Sequence, residues 1–228
     1  MRWLALARYS PISVDFLLDH WNDRKSLPAK PVAITFDDGF QDCFDYAVPI
    51  MQARGFTATF YFVAGLIGKT SRWLISERRF ELPLMDWQTV KRLETAGFHV
   101  GAHSLSHPRL DALSPAACRA ELIESRRLLE DKLGHEIRDM AYPFGAFNES
   151  VRATVADTGY RSACSVQIGI SNANDDPLAL KRVPVNGEES LLDFAFRLQS
   201  GHSARECLRG AAKHVFRRQR QAVISGKQ

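Results

Sequence analysis

Two acids stand side by side in "AITFDDGF", Asp37 and Asp38, directly after an apolar, β-branched run. Further on, "GAHSLSHPRL" carries His103 and His107, four residues apart. A turn after a strand explains one aspartate before Gly39, since both residue types favour turns, but it leaves the second acid without a purpose. Two imidazoles and one carboxylate make a three-ligand set that keeps coordination positions free for water and substrate, the arrangement of catalytic zinc. One of the adjacent acids can then hold a metal while its neighbour, pointing the other way, takes a proton. The histidine spacing would suit a helix face, but Pro108 disfavours helical backbone at His107. A helical zinc-protease motif would also carry Glu where this chain has Ser104. The pair is therefore expected on a strand end and the loop after it; taken alone, two histidines packing at a rim would read equally well.

Alternating strand and helix signals must position these groups. "PVAITF", "TATFYFV", "FHVGAH", "IRDMAYPFG", "RSACSVQIG" and "ALKRVPV" are compact and strand-like. Between them lie helical stretches: "VDFLLDHWN", "CFDYAVPIMQARG" closed by Gly55, "DWQTVKRLETAG" opened by Asp86, and "ESVRATVADTG". Ser114 followed by Pro115 opens the longest, "AACRAELIESRRLLEDKLG". Strand and helix in alternation predict a parallel sheet with crossover helices, either closed into a barrel or wound open. In both cases chemistry gathers at the C-terminal strand ends, where Asp37, Asp38, His103 and the "YPFG" turn fall.

In that order and separation, "TFDDGF", "HSLSHP" and "AYPFG" resemble the first three motifs of the polysaccharide deacetylase family, carbohydrate esterase family four. The connecting segments "GFTATFYFVAGLIG", "LMDWQTVKRLETAGFHVGAHS" and "ELIESRRLLEDKLG" resemble it too, so the likeness runs from about Ile12 to Phe196. The resemblance implies an α/β fold, a distorted (β/α) barrel of about seven parallel strands, closed or left open at one seam. It implies one divalent ion, zinc first and Co2+, Ni2+ or Mn2+ as alternatives, held by Asp38, His103 and His107. Asp37 would be the general base, the backbone N–H of Phe144 an oxyanion donor, and Tyr142, Pro143 and Phe144 would contact substrate. The implied reaction removes N-acetyl groups from an amino-sugar glycan or a lipid-linked saccharide. A same-fold hydrolase of another amide, a formamide or cyclic imide, is the alternative, and the segment "GKTSRWLISERRFELPLM" would decide it. A glycan-binding pseudoenzyme is the rival from outside enzymology; it would release no acetate.

The chain departs from the family pattern in three places. Ala141 stands where many members carry an arginine that tethers the catalytic acid, and Arg182 in "LKRVPV" is a candidate replacement. No clear copy of the last motif supplies the histidine that protonates the leaving amine; His202 in "QSGHSA" is the candidate. At the N-terminus an expected first strand is either absent or replaced by "WLALARY".

The 228 residues carry a net charge of +4, but the charge is unevenly spread. Seven Lys/Arg against Glu206 give residues 201–228 a charge of +6, leaving −2 for the rest. We read residues 1–200 as the catalytic domain and 201–228 as a basic C-terminal helix. Its stripe of Arg205, Arg209, Lys213 and Arg217 reads first as the solvated side of a helix that packs by its apolar face, second as peripheral contact with an anionic membrane, with nucleic acid the weaker reading. Cys43, Cys118, Cys164 and Cys207 form no C-x-x-C pair and read as buried thiols in a reducing compartment. No apolar run approaches the roughly 20 residues of a membrane span, and the apolar start ends at Arg8, short of a signal peptide. Those features predict a cytoplasmic protein; membrane association through the tail is the alternative.

Overall fold

A computed structural model describes residues 1–21 and 27–202. The chain runs α1 (Arg2–Leu6), β1 (Ser10–Ile12), α2 (Val14–Asp19), β2 (Pro31–Ala33), β3 (Thr35–Phe36), α3 (Val48–Gln52) and β4 (Thr59–Phe62). It continues through α4 (Trp73–Arg78), α5 (Trp87–Thr95), β5 (His99–Ala102), α6 (Pro115–Leu133) and β6 (Asp139–Ala141). The remaining elements are α7 (Glu149–Asp157), β7 (Ser162–Ile168), β8 (Leu180–Arg182) and α8 (Leu191–Ser200). Local chemistry sets the helix boundaries. Ser13, Asp86, Ser114 and Asn148 each accept the backbone N–H three residues on, and Gly134 ends α6 at a φ of 83°. Such side chains satisfy donors that the first helical turn leaves free.

Three stretches differ from the sequence expectation. "WLALARY" is helical through Leu6 rather than a strand, since Leu and Ala are strong helix formers, and parallel pairing begins only at Ser10 against Pro31. "PVAITF" is two strands rather than one: β2 pairs with β1, β3 pairs with β4, and the Ile34 carbonyl between them accepts Thr59 N–H. One bent run thus passes the wall from a two-stranded ladder to the six-stranded order β3-β4-β5-β6-β7-β8. The helix after Phe40 opens with a π turn over Cys43–Ala47 before α3, because Pro49 has no N–H to give the regular ladder. Counting β2 and β3 as one, seven strand positions make the distorted (β/α) barrel, and no pairing among the described residues joins β8 to β1.

Successive residues of the strands face opposite layers. Phe60, Phe62, Val100, Ala102, Met140 and Ala163 pack outward under the helices. Tyr61, Ala141 and Cys164 join Val14, Leu18 and Leu180 in a smaller inner cluster. Gly101 lies on that inner side, where an added Cβ would come within 2.5 Å of the Tyr61 ring. The inner layer is thus filled by one large ring beside a residue with no side chain. Two compact units emerge: Met1–Ser165 with Ala173–Leu180, and Val166–Asn172 with Lys181–Gln228. The division falls earlier than the expected boundary at residue 200. The predicted basic helix lies outside the described residues beyond His202. No described helix is long and apolar enough to cross a membrane.

Candidate active site

The first acids sit where β3 stops. Asp38 and Gly39 both have left-handed backbone (φ 74° and 75°), and Gly39 N–H donates to the Asp37 carbonyl. A Cβ on Gly39 would meet the Phe62 ring at 2.6 Å, so the turn is open only to glycine. His103 follows the last residue of β5 and His107 lies in the loop beyond, at φ 65°. Its backbone N–H donates to Ser104 Oγ at 3.0 Å, closing the short turn that Pro108 cuts off from helix. Left-handed backbone is unfavourable for residues with a Cβ and is retained where the surroundings impose it, often at functional sites. Asp38, Ser104, His107 and Phe144 all adopt it.

His103 Nε2 lies 3.4 Å and His107 Nε2 3.2 Å from Asp38 Oδ1. One donor atom from each of the three fits within 4.8 Å of the others. Both imidazoles are buried. His103 Nδ1 is 2.8 Å from the Ala141 carbonyl, which only accepts, so Nδ1 carries a proton, and the neutral form of the ring would turn the lone pair of Nε2 to a metal. That is the second-shell arrangement of metal-ligating histidines, and a donor set of two imidazoles and a carboxylate suits zinc and its neighbours. The residues present therefore fit a divalent cation. Burial would raise the Asp38 carboxyl, but hydrogen bonds from His103 and His107 outweigh it and hold the group well below the usual range. Burial also works against the charged form of both imidazoles. At His103 the Asp38 bond and the Asp37 and Asp38 charges prevail and the pKa rises; at His107 burial and the nearby His103 prevail and it falls.

Asp37 is half-buried and acts electrostatically on both rings. Of the "YPFG" turn, Tyr142 and Pro143 are buried, and the Tyr142 hydroxyl donates to the Leu178 carbonyl at 2.9 Å. The turn's exposed residue is Phe144, whose ring meets His107 edge-on at 4.6 Å. Arg182 and His202 belong to the second compact unit and are not members of the Asp-His-His cluster. His202 is exposed, its Nδ1 3.2 Å from the Ser200 carbonyl.

Glu121 and Gly65, given no role from sequence, and Trp73, from the segment expected to decide the substrate amide, complete the site. Glu121 of α6 accepts from the backbone N–H groups of Leu105 and Ser106 and from Ser106 Oγ, bracing the loop between the histidines. Gly65 N–H donates to the Leu105 carbonyl, so close that a Cβ would lie 2.7 Å from that oxygen. Trp73 stacks on His107 with ring centroids 4.3 Å apart. The available signal was the tryptophan in the long "GKTSRWLISERRFELPLM" excursion between β4 and α5.

A parallel (β/α) barrel with this cluster at its C-terminal strand ends is the architecture that the resemblance to carbohydrate esterase family four implies. The family model described as polysaccharide deacetylase matches residues 24–163, and the chain belongs to that family. YxkH of Bacillus subtilis (strain 168), provisionally named a polysaccharide deacetylase, is 24% identical over 200 residues, which are 88% of this chain and 67% of that protein. The poly-beta-1,6-N-acetyl-D-glucosamine N-deacetylase of Escherichia coli (strain K12) is 22% identical over 227 aligned positions, covering 85% of this chain and 33% of its own. The chain thus spans about a third of that relative's length. Among solved structures, the Streptococcus pyogenes deacetylase PplD in complex with acetate has a TM-score of 0.75 at 22% identity, covering 86% of this chain and 82% of that one. IcaB from Ammonifex degensii has 0.73 at 22% identity, covering 87% and 86%. Both structures share the fold.

Proposed function

We propose that this protein removes N-acetyl groups from an amino-sugar glycan, with a divalent cation held by Asp38, His103 and His107. The observation that carries the reading is the convergence of Asp38 Oδ1 and the two Nε2 atoms beside a second, separate carboxylate at Asp37. Zinc in that place would supply a Lewis acid and lower the pKa of a water toward about 7. Asp37, tethered one residue before the Asp38 ligand, takes the proton of the attacking water as general base. The Phe144 N–H, on its left-handed turn, donates to the acyl oxygen as charge develops there. Arg182 and His202 remain the candidates for orienting Asp37 and for protonating the leaving amine. The names of the Escherichia coli and Staphylococcus aureus relatives support poly-β-1,6-linked N-acetylglucosamine as the first substrate to offer. The basic stretch after Gly201 would bring the enzyme to an anionic membrane surface, where a lipid-linked saccharide is presented.

The test is acetate release from β-1,6-linked and β-1,4-linked N-acetylglucosamine oligomers by metal-stripped, zinc-restored and Asp37→Asn protein. Zinc-dependent release that Asp37→Asn abolishes is the expected result. Stoichiometric zinc binding with no release from any acetylated or formylated sugar would overturn the reading in favour of a glycan-binding role.

A further inference from the structure

His107 is held differently from His103. The His103 ring is fixed by its Nδ1–H bond to Ala141, whereas His107 Nδ1 is buried and has no hydrogen-bond partner among the described residues. A ligating imidazole normally gives that second nitrogen to a carbonyl, carboxylate or water, which fixes its orientation. Apart from the Asp38 carboxylate at Nε2, the groups shown packing on His107 are aromatic rings. Trp73 lies against its face at 4.3 Å with 29° between the planes; Phe144 and His103 meet it edge-on at 4.6 and 4.9 Å.

Trp73 reaches His107 from an arm, residues 68–85, that leaves the barrel wall after β4. Backbone bonds zip its two ends together: Gly68 N–H to Met85 O, Leu84 N–H to Lys69 O, and Ser71 N–H to Leu82 O, each 2.9–3.0 Å. The returning end is tied in turn to the loop after Asp38, through Met85 N–H to Gly39 O and Gln41 N–H to Pro83 O. The arm is thus anchored beside one ligand and lays its indole on another. A stacked aromatic pair gains more than its buried area alone accounts for, enough to bias one ring orientation.

We propose that Trp73 is a positioning residue of the metal centre, its clamped indole holding the His107 imidazole in its ligating orientation where no described protein group takes Nδ1. The inference rests on the metal-centre reading above. The experiment measures zinc affinity by competition with a chromogenic chelator in the full chain and in Trp73→Ala, Trp73→Leu and Trp73→Phe, with His107 ring-proton shifts recorded by NMR on the metal-free proteins. Loss of such a supporting contact is expected to weaken zinc binding by about tenfold or more in the Ala and Leu variants. Phe is expected to restore most of the affinity, and the His107 ring protons should lose an upfield ring-current shift in the Leu variant. Affinity unchanged in Trp73→Leu, or equal in Leu and Phe, would overturn the inference while leaving the metal centre standing. An unsubstituted protein that binds no zinc would overturn the metal-centre reading and this inference together. Should the Ala variant fail to fold, the Leu and Phe comparison decides by itself.

Discussion

Adjacent carboxylates would repel if they shared one environment, and Asp37 and Asp38 do not share one. Asp38 turns through left-handed backbone so that its Oδ1 meets two imidazole nitrogens, which keep it ionised against its burial. Asp37 stays outside the cluster while its charge acts on both rings. Two side-chain replacements of equal size should therefore fail differently. Asp37→Asn is expected to keep zinc bound and lose about 10²–10⁴ in rate of acetate release, the usual contribution of a positioned proton acceptor. Asp38→Asn should lose the metal itself, seen as a fall in zinc stoichiometry under chelator competition. Equal zinc loss in both would place both acids in the ligand shell and leave the base unassigned.

Elements, rather than single side chains, keep the donor atoms together. β3 and β5 are separated in the sheet by β4 alone, so Asp38 and the two histidines, distant in sequence, emerge at one barrel end. The loop between the histidines is short but buried at Ser104 and His107, and its N–H groups need acceptors. Glu121 supplies one carboxylate for three donors. Glu121→Ala should cost about 1–3 kcal/mol for the abandoned N–H groups and weaken zinc binding with it; thermal melting and chelator competition together check both. Gly39→Ala attacks the other ligand's turn: the new methyl group meets the Phe62 ring at 2.6 Å, at a φ of 75°. Overpacking of this kind costs about 1–3 kcal/mol, and circular-dichroism melting should register it. A melting temperature unchanged in Gly39→Ala would mean that the Asp37–Gly39 turn yields easily.

At the scale of the whole molecule the inner layer of the barrel contains a carboxyl group under pressure. Asp139 is buried on β6, its Oδ2 without a hydrogen-bond partner among the described residues. Burial pushes its pKa up to about 7, the Asp15 carboxylate adds to the shift, and Tyr61 and Arg138 offset part of it. The folded state thus holds a proton that the unfolded chain releases near 4, so stability is greatest below about pH 4 as far as this group decides. It declines as pH rises through about 7, by at most about 4 kcal/mol. Asp139→Asn should flatten that decline, and melting temperatures from pH 5 to pH 8 check it; parallel curves for both proteins would remove Asp139 as the cause. The proposed membrane contact belongs to the same scale. Deleting residues 203–228 is expected to leave acetate release from soluble oligomers unchanged and to abolish co-sedimentation with anionic vesicles at low salt, since it removes seven Lys/Arg and one Glu, a net charge of +6.

Much of this was legible in the chain itself, because it depends on local chemistry and on order along the sequence. The alternation of strand and helix, the caps at Asp86 and Ser114, and the Asp-Asp and His-x-x-x-His motifs follow from residue type and spacing. The family resemblance was carried by the same short runs, and the ligand set it implied is the set of side chains that converges. The tertiary structure decided what depends on contacts distant in sequence. It split "PVAITF" between two neighbours, started the first strand at Ser10 rather than in "WLALARY", and buried Tyr142 and Pro143 while leaving Phe144 exposed. It also brought Glu121 to the histidine loop and Trp73 onto His107. Those partners are matched by shape and by the need to satisfy buried donors, and neither property has a period or a motif that a sequence displays.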